Sequence, residues 1–129
     1  MRDASNPCPN ELSYVKTLRK TMELYGFKDQ HFIVDTSRNG KAQIRKKAGT
    51  WCNLAGAGLG ERLRADPEPW FDAYFRIKPP GESDGVSDPS APRFDQGCVG
   101  PDSAKDAPQS GQWFESYLLD LVRNAQPRL

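Results

Sequence analysis

The run Phe75-Arg76-Ile77-Lys78-Pro79-Pro80-Gly81-Glu82-Ser83-Asp84-Gly85 constrains this chain most, because a strand pattern there has to stop and turn at a fixed place. From Trp70 to Ile77 the residues are largely aromatic and β-branched, with Phe71, Ala73, Phe75 and Ile77 on one parity and Asp72, Tyr74, Arg76 and Lys78 on the other. Such alternation predicts a strand. Neither Pro79 nor Pro80 can donate to a sheet ladder, and Gly81 and Gly85 bracket a sharp turn. The strand therefore delivers Glu82 and Asp84, with Lys78 beside them, to a loop at its end. Loops of this kind on a rigid scaffold are where chemistry concentrates, although a Gly-Glu-x-Asp-Gly segment taken alone reads first as a solvated acidic turn.

The flanking sequence supplies the scaffold. Residues 1–9 hold two prolines and no apolar period, and read as an N-terminal arm. Asn10 stands as a helix N-cap before Leu12, Val15, Leu18, Met22 and Tyr25, and Gly26 takes the position past the end, which predicts an amphipathic helix of about four turns. His31-Phe32-Ile33-Val34-Asp35 is nearly all apolar, as in a strand buried on both faces of a parallel sheet. Helix, short loop and buried strand make half of a β/α repeat. Thr36-Ser37-Arg38-Asn39-Gly40-Lys41 follows at the strand's end, which makes Arg38 a second candidate near the site.

Residues 41–50 are basic and without period, and read as loop. Gly56-Ala57-Gly58-Leu59-Gly60 lacks the spacing of a dinucleotide fingerprint and reads as a closely packed or mobile loop. Ser87 to Ser110 forms a connection long enough to be either functional or disordered. Gln112 to Asn124 places Trp113, Phe114, Tyr117, Leu118, Leu121 and Val122 on one helical stripe, with Ser110 as cap and core packing as its role.

At 129 residues the chain makes one ordinary domain. A mean hydropathy of −0.75, with eleven prolines and eleven glycines, announces much irregular structure. The net charge of +1 gives no electrostatic case for nucleic acid or an anionic membrane, and Arg45-Lys46-Lys47 is the one basic run. No apolar stretch approaches the roughly 20 residues of a membrane span. Met1 is followed by a polar segment rather than a signal peptide. Cys8, Cys52 and Cys98 with a single histidine, His31, argue against a structural zinc site. One disulfide with a left-over thiol is the simplest alternative. No metal and no cofactor is expected.

Lys78, Glu82 and Asp84 with Trp51 nearby have the inventory of a sugar site: carboxylates for proton transfer or hydroxyl recognition, and an aromatic face for stacking. Glycosidases need two carboxyl groups, one protonating the leaving oxygen and one handling water or attacking carbon. Asp84 between Lys78 and Arg38 is expected to be held ionised, which suits a base.

The segments His31 to Gly40, Trp51-Cys52-Asn53, Ile77 to Gly85, Ser90-Ala91-Pro92-Arg93-Phe94-Asp95 and Pro108 to Phe114 together resemble consecutive C-terminal blocks of glycoside hydrolase family 6. That family holds cellobiohydrolases and endoglucanases that cut β-1,4-glucan with inversion. The resemblance implies an α/β fold: the C-terminal part of a distorted β/α barrel, with two main helices, two or three parallel strands and long loops. Residues 10–129 would form a partial catalytic domain covering about the last third of the family's.

It further implies that Asp84 falls on the proposed catalytic base, and that Arg38 and Lys78 fall on the cations that keep it ionised. Trp51 falls on a tryptophan that stacks a glucosyl unit, and Lys78 and Glu82 on residues that bind that unit's hydroxyls. Cys52 and Cys98 fall on a disulfide that anchors the C-terminal loop. The length of that loop implies cellobiohydrolase-like ancestry, with cellulose or cello-oligosaccharides as partner and an extracellular setting.

The family's general acid lies upstream of the matching blocks; Asp35, Asp88 and Asp95 offer carboxyls by composition only. The resemblance supplies no match for Cys8. It also implies an unclosed barrel with uncovered sheet edges. The alternatives to a cellulase portion are a non-catalytic glucan-binding remnant and a small secreted interaction protein.

Overall fold

The computed structural model describes residues 8–47 and 49–129; the arm expected over 1–9 lies mostly outside the described residues. The elements run α1 (Glu11–Leu24), β1 (Phe32–Asp35), β2 (Arg64–Glu68), β3 (Phe71–Phe75), a single 3₁₀ turn (Gln96–Val99) and α2 (Glu115–Arg123).

Helix α1 begins as its local sequence dictates. Asn10 Oδ1 accepts from the Ser13 N–H at 2.9 Å, and Ser13 Oγ accepts from the Asn10 N–H at 3.3 Å, so two otherwise orphaned donors are satisfied reciprocally. Tyr25 closes the helix, and Gly26 follows at φ +86°, a conformation that costs glycine little. Val15 packs with Val34 of β1 and Phe71 of β3, and Leu12, Phe32, Trp70 and Tyr74 lie against them.

The sheet is mixed, in the order β1-β3-β2, with β1 parallel and β2 antiparallel to β3. Two expectations are corrected here. The strand at 31–35 is not buried on both faces: it is an edge strand, α1 covers one side, and Ile33 on the other is 55% exposed. Nor does one parity of 70–77 form a single buried face. Phe32 pairs with Phe71 but Ile33 pairs with Ala73, so Asp72 is an extra residue that turns Phe71 to the α1 side. There its ring lies 4.7 Å from that of Tyr74. Strand β2 was hidden in the sequence by Asp66 and Pro67; it is an irregular edge, where proline is tolerated.

The last helix also starts later than its pattern suggests. It runs from Glu115 with Phe114 at the cap and no side-chain cap, so Ser110 does not serve. The preceding backbone is already paired with the central loop: Ser83 N–H donates to Gln112 O at 2.8 Å, Gly111 N–H to Ser83 O at 2.9 Å and Phe114 N–H to Gly81 O at 2.7 Å. Phe114, Tyr117 and Leu121 enter a core with Leu54, Ala57, Leu59, Ala107 and Ala125. Trp113 and Val122, expected on the same stripe, are exposed.

The glycine-rich loop is part of this packing and not a phosphate cradle. A side chain at Gly58 would meet Asn124 O at 2.1 Å, and Leu59 N–H donates to Leu121 O at 3.0 Å.

A buried carboxylate holds the loop at Lys46 and Lys47. Asp102 Oδ2 accepts from the N–H groups of Lys46 at 2.7 Å and Lys47 at 2.9 Å. Burial pushes the Asp102 carboxyl up, but these donors, the Lys46 charge and the Thr50 hydroxyl outweigh burial and hold it below its ordinary value. A depressed carboxylate stabilises the fold above its unfolded pKa near 3.9 and loses that contribution as pH falls through the lower, folded value. Acidification to below the ordinary carboxylate pKa, about 3.9, is therefore expected to speed amide exchange at Lys46 and Lys47, beyond the intrinsic rate change, before exchange rises in α2. In Asp102→Asn the extra step should be absent; an unchanged profile in that variant would refute the assignment.

Candidate active site

Asp35 sets the geometry from below. At the end of β1 its carboxylate accepts from Ser37 N–H at 2.9 Å and Ser37 Oγ at 2.5 Å, and across the sheet from Ile77 N–H at 3.3 Å and Lys78 N–H at 3.1 Å. One side chain thus ties together the chain leaving β1 and the chain leaving β3. The segments carrying Arg38 and Lys78 emerge side by side.

Arg38 then reaches across the proline turn. Its Nε and Nη2 donate to Pro80 O at 3.2 and 3.0 Å, Nη2 also to Glu82 O, and Nη1 to Asp84 Oδ2 at 2.5 Å. Lys78 Nζ contacts Glu82 Oε1 at 2.6 Å and Asp84 Oδ1 at 3.2 Å. Both side chains of the Arg38 and Asp84 pair are largely buried, so this attraction is screened far less than an exposed ion pair.

Two residues that sequence reasoning did not single out complete the arrangement. Asn53, fully buried, donates its backbone N–H to Asp84 Oδ2 at 2.8 Å and accepts the Asp84 N–H on Oδ1 at 2.9 Å. Its amide nitrogen donates to Gly85 O at 2.8 Å and Ser83 Oγ at 3.2 Å. Asn53 sits at φ +42°, which asparagine tolerates better than most residues.

Tyr117 of α2 lies under Arg38, with the guanidinium carbon 4.8 Å from the ring centroid, and donates its hydroxyl to Leu54 O at 2.9 Å. Burial pushes the Tyr117 phenol up to about 12, against the opposing charge of Arg38 and with that of Asp84, so it remains a hydrogen-bond donor at neutral pH.

These groups open on a cavity of about 530 Å³ lined by Asp35, Ser37, Arg38, Lys78, Asp84 and Tyr117, by the start of α1 at Asn10, Glu11 and Tyr14, and by Trp51. Trp51 is 52% exposed, and its indole lies so close to Gly97 that a Cβ there would meet Nε1 at 2.9 Å. Glu82 is not in the cavity wall; it stands behind it on Lys78. Cys52 and Cys98 form a disulfide across 46 positions, buried behind Gly85. Cys8 also lines the cavity, with its Sγ 3.8 Å from Thr17 Oγ1.

The carboxyls offered by composition have structural partners instead. Asp88 accepts from Ser90 N–H and Oγ, which hold it below the usual carboxylate range, the reverse of what a proton donor needs. Asp95 accepts from Gly97 N–H at 2.7 Å in capping the 3₁₀ turn. Asp35 already has four donors. Among the described residues no group of three histidine, cysteine or acidic side chains could hold a metal, and no helix is long and apolar enough to cross a membrane.

The model of the glycosyl hydrolases family 6 matches residues 1–125. The chain belongs to glycoside hydrolase family 6. Among its relatives in that family, the 1,4-beta-D-glucan cellobiohydrolase CEL6C of Podospora anserina is 43% identical over 96% of this chain and 31% of its own length. Exoglucanase-6A of Humicola insolens is 44% identical over 95% of this chain and 26% of its own. The solved family 6 structure of cellobiohydrolase II (Cel6A) from Humicola insolens, in complex with glucose and cellotetraose, superposes with a TM-score of 0.86 at 41% identity, over 98% of this chain and 35% of the other. The chain thus spans about a third of the length of the family 6 proteins it matches, and its two helices and mixed sheet form part of their distorted β/α barrel.

Proposed function

We propose that this chain carries the base side of an inverting β-1,4-glucan cleavage site, acting on cellulose or cello-oligosaccharides in an extracellular setting. The observation that carries the proposal is the Asp84 carboxylate, held by Arg38, Lys78 and the Asn53 N–H at the wall of a cavity that also bears a half-exposed tryptophan.

In inversion a water attacks the anomeric carbon from the face opposite the leaving oxygen and gives up a proton as it does so. Asp84 Oδ2 is occupied by two donors, whereas Oδ1 meets only Lys78 at 3.2 Å, so Oδ1 is the oxygen with capacity to take that proton, directly or along a chain of waters. Arg38 and Lys78 keep a negative charge favourable at this position. Trp51 offers a flat apolar face to a glucosyl ring, and Lys78, backed by Glu82, offers donors to its hydroxyls. The leaving oxygen needs a proton from a carboxylic acid, and Asp35, Asp88 and Asp95 are engaged as acceptors elsewhere. The 129 residues on their own are therefore expected to bind glucan without cutting it.

Cellohexaose binding by calorimetry, with reducing-sugar release from amorphous cellulose, tests this. Binding is expected to weaken about five- to thirtyfold in Trp51→Ala, in line with roughly 1–2 kcal/mol for an aromatic platform, with no sugar release from the chain alone. Release that vanishes in Asp84→Ala would show that these residues hold their own acid and would overturn the half-site reading. Absence of both binding and release would overturn the glucan assignment itself.

A further inference from the structure

The basic run Arg45-Lys46-Lys47 has no contact with Asp84, yet the fold brings it to the tryptophan. Arg45 Nε donates to Thr50 O at 2.7 Å, one residue before Trp51, and Thr50 Oγ1 donates to Lys47 O at 3.0 Å. Asp102 Oδ2 takes the Lys46 and Lys47 N–H groups from the interior, so the backbone of the run is fixed while its side chains stay exposed. Arg45 lines the cavity of about 530 Å³. Lys47 lines a second cavity of about 250 Å³, with Gln96 and Gly97. Trp51 belongs to the walls of both, so each cavity that the indole borders carries one cation of the run.

These charges are not spent inside the protein. Among the described residues neither Arg45 nor Lys47 pairs with a carboxylate, and the two terminal nitrogens of Arg45 have no acceptor. The carboxylates of the main cavity are already engaged, Asp84 by Arg38 and Lys78, Asp35 by four donors and Glu11 by Asn39 Nδ2 at 3.1 Å. Asp95, beside the indole at Gly97, caps the 3₁₀ turn and is not a wall of the second cavity.

We propose that the site takes a β-1,4-glucan that carries carboxylates, with a glucuronosyl unit stacked on Trp51 and its C6 carboxylate held by Arg45 and Lys47. The inference rests on the reading of Trp51 as a glucosyl platform. A glucuronosyl ring keeps the flat face of glucose and bears a carboxylate in place of the hydroxymethyl group at its edge. One unit can therefore use the indole and the cations together. The planar fork of Arg45 suits a carboxylate, and Lys47 adds a point charge. A net charge of +1 gives a long polyanion no extended field to follow, so the two cations mark one sugar unit and not a nucleic-acid track.

The test is a titration of the chain, followed by amide chemical shifts, with cellotriose and with the same trisaccharide carrying a glucuronosyl unit at its non-reducing end. The acidic sugar is expected to bind about fivefold tighter at low salt, the combined effect of two exposed ion pairs. That preference should vanish at about 1 M salt, where charges are screened within roughly 3 Å. Arg45→Gln combined with Lys47→Gln should bring the ratio of the two affinities to about one, and Arg45→Lys combined with Lys47→Arg should keep most of the preference. Both side chains are in solvent, so circular dichroism of each variant should match the parent.

Equal affinities in the parent chain, a preference that survives the glutamine double variant, or acetate binding as tightly as the acidic sugar would each overturn the proposal while leaving the neutral-glucan reading intact. Absence of binding by either sugar would overturn the Trp51 platform and the proposal with it.

Discussion

Replacing Cys52 and Cys98 together by alanine is expected to lower the unfolding free energy by about 4 kcal/mol, the loop-closure value for a crosslink over some fifty residues. The bridge joins the chain after Trp51 to the 3₁₀ turn inside the long connection, and both sulfurs are essentially excluded from solvent. Its loss should reach the site from two directions. Trp51 stands one residue from Cys52 and rests on Gly97, one residue from Cys98, so the tryptophan face loses its floor along with the bond. Gly85, against Cys98 Sγ, follows directly on Asp84. Urea titration should show a lower midpoint and a steeper slope, because the unlinked denatured chain exposes more surface, and amide exchange should rise first across 87–110. An unchanged midpoint after full reduction of the native chain would mean that packing alone holds this loop.

Asn53→Ala should be nearly as costly, about 3 kcal/mol, although it removes a side chain of modest size. Four hydrogen bonds of the amide disappear, to the Asp84 N–H, Gly85 O, Ser83 Oγ and Cys52 Sγ, and the Asp84 N–H loses its side-chain acceptor. Alanine also has no liking for φ +42°. Asn53→Gly separates the two causes, because glycine accepts the backbone but replaces none of the bonds; it is expected to recover about 1 kcal/mol of the loss and no more. Thermal unfolding of the pair decides the matter. A glycine variant as stable as the parent would show that the amide contributes nothing and that backbone strain is the whole effect.

What could be read from the sequence follows the range of the interactions. Helix α1 is legible to its cap because Asn10 and Gly26 each act within a few positions of the helix end they close. The existence of β1 and β3 was legible too, but the exposure of Ile33 was not, since burial of a strand's second face depends on what lies beside it and not on its own residues. The extra residue at Asp72 is visible only in the register with Phe32 and Ile33. The start of α2 is not legible, because residues 111–114 are paired with a loop thirty positions earlier, a claim on the backbone that helical periodicity does not express.

At the site, Arg38, Lys78, Glu82 and Asp84 were marked by their places after strands and by the family's blocks. Asn53 and Tyr117 carry no such mark, because one acts chiefly through its backbone and a buried amide, the other through the face of its ring. The signal for Asn53 was its position directly after Trp51-Cys52; Tyr117 carried none beyond core periodicity.

The stacking of Arg38 on Tyr117 gives the site a place in time. During synthesis Asp84 and its loop leave the ribosome about thirty residues before Tyr117, a delay of some 2–6 s at ordinary elongation rates. Throughout that interval Arg38 lacks the ring beneath it, and the Gly81 loop lacks the strand-like partner at 111–114. The nascent chain therefore carries every charged group of the site without the surface that orients them, and the pocket is finished only as the final helix docks.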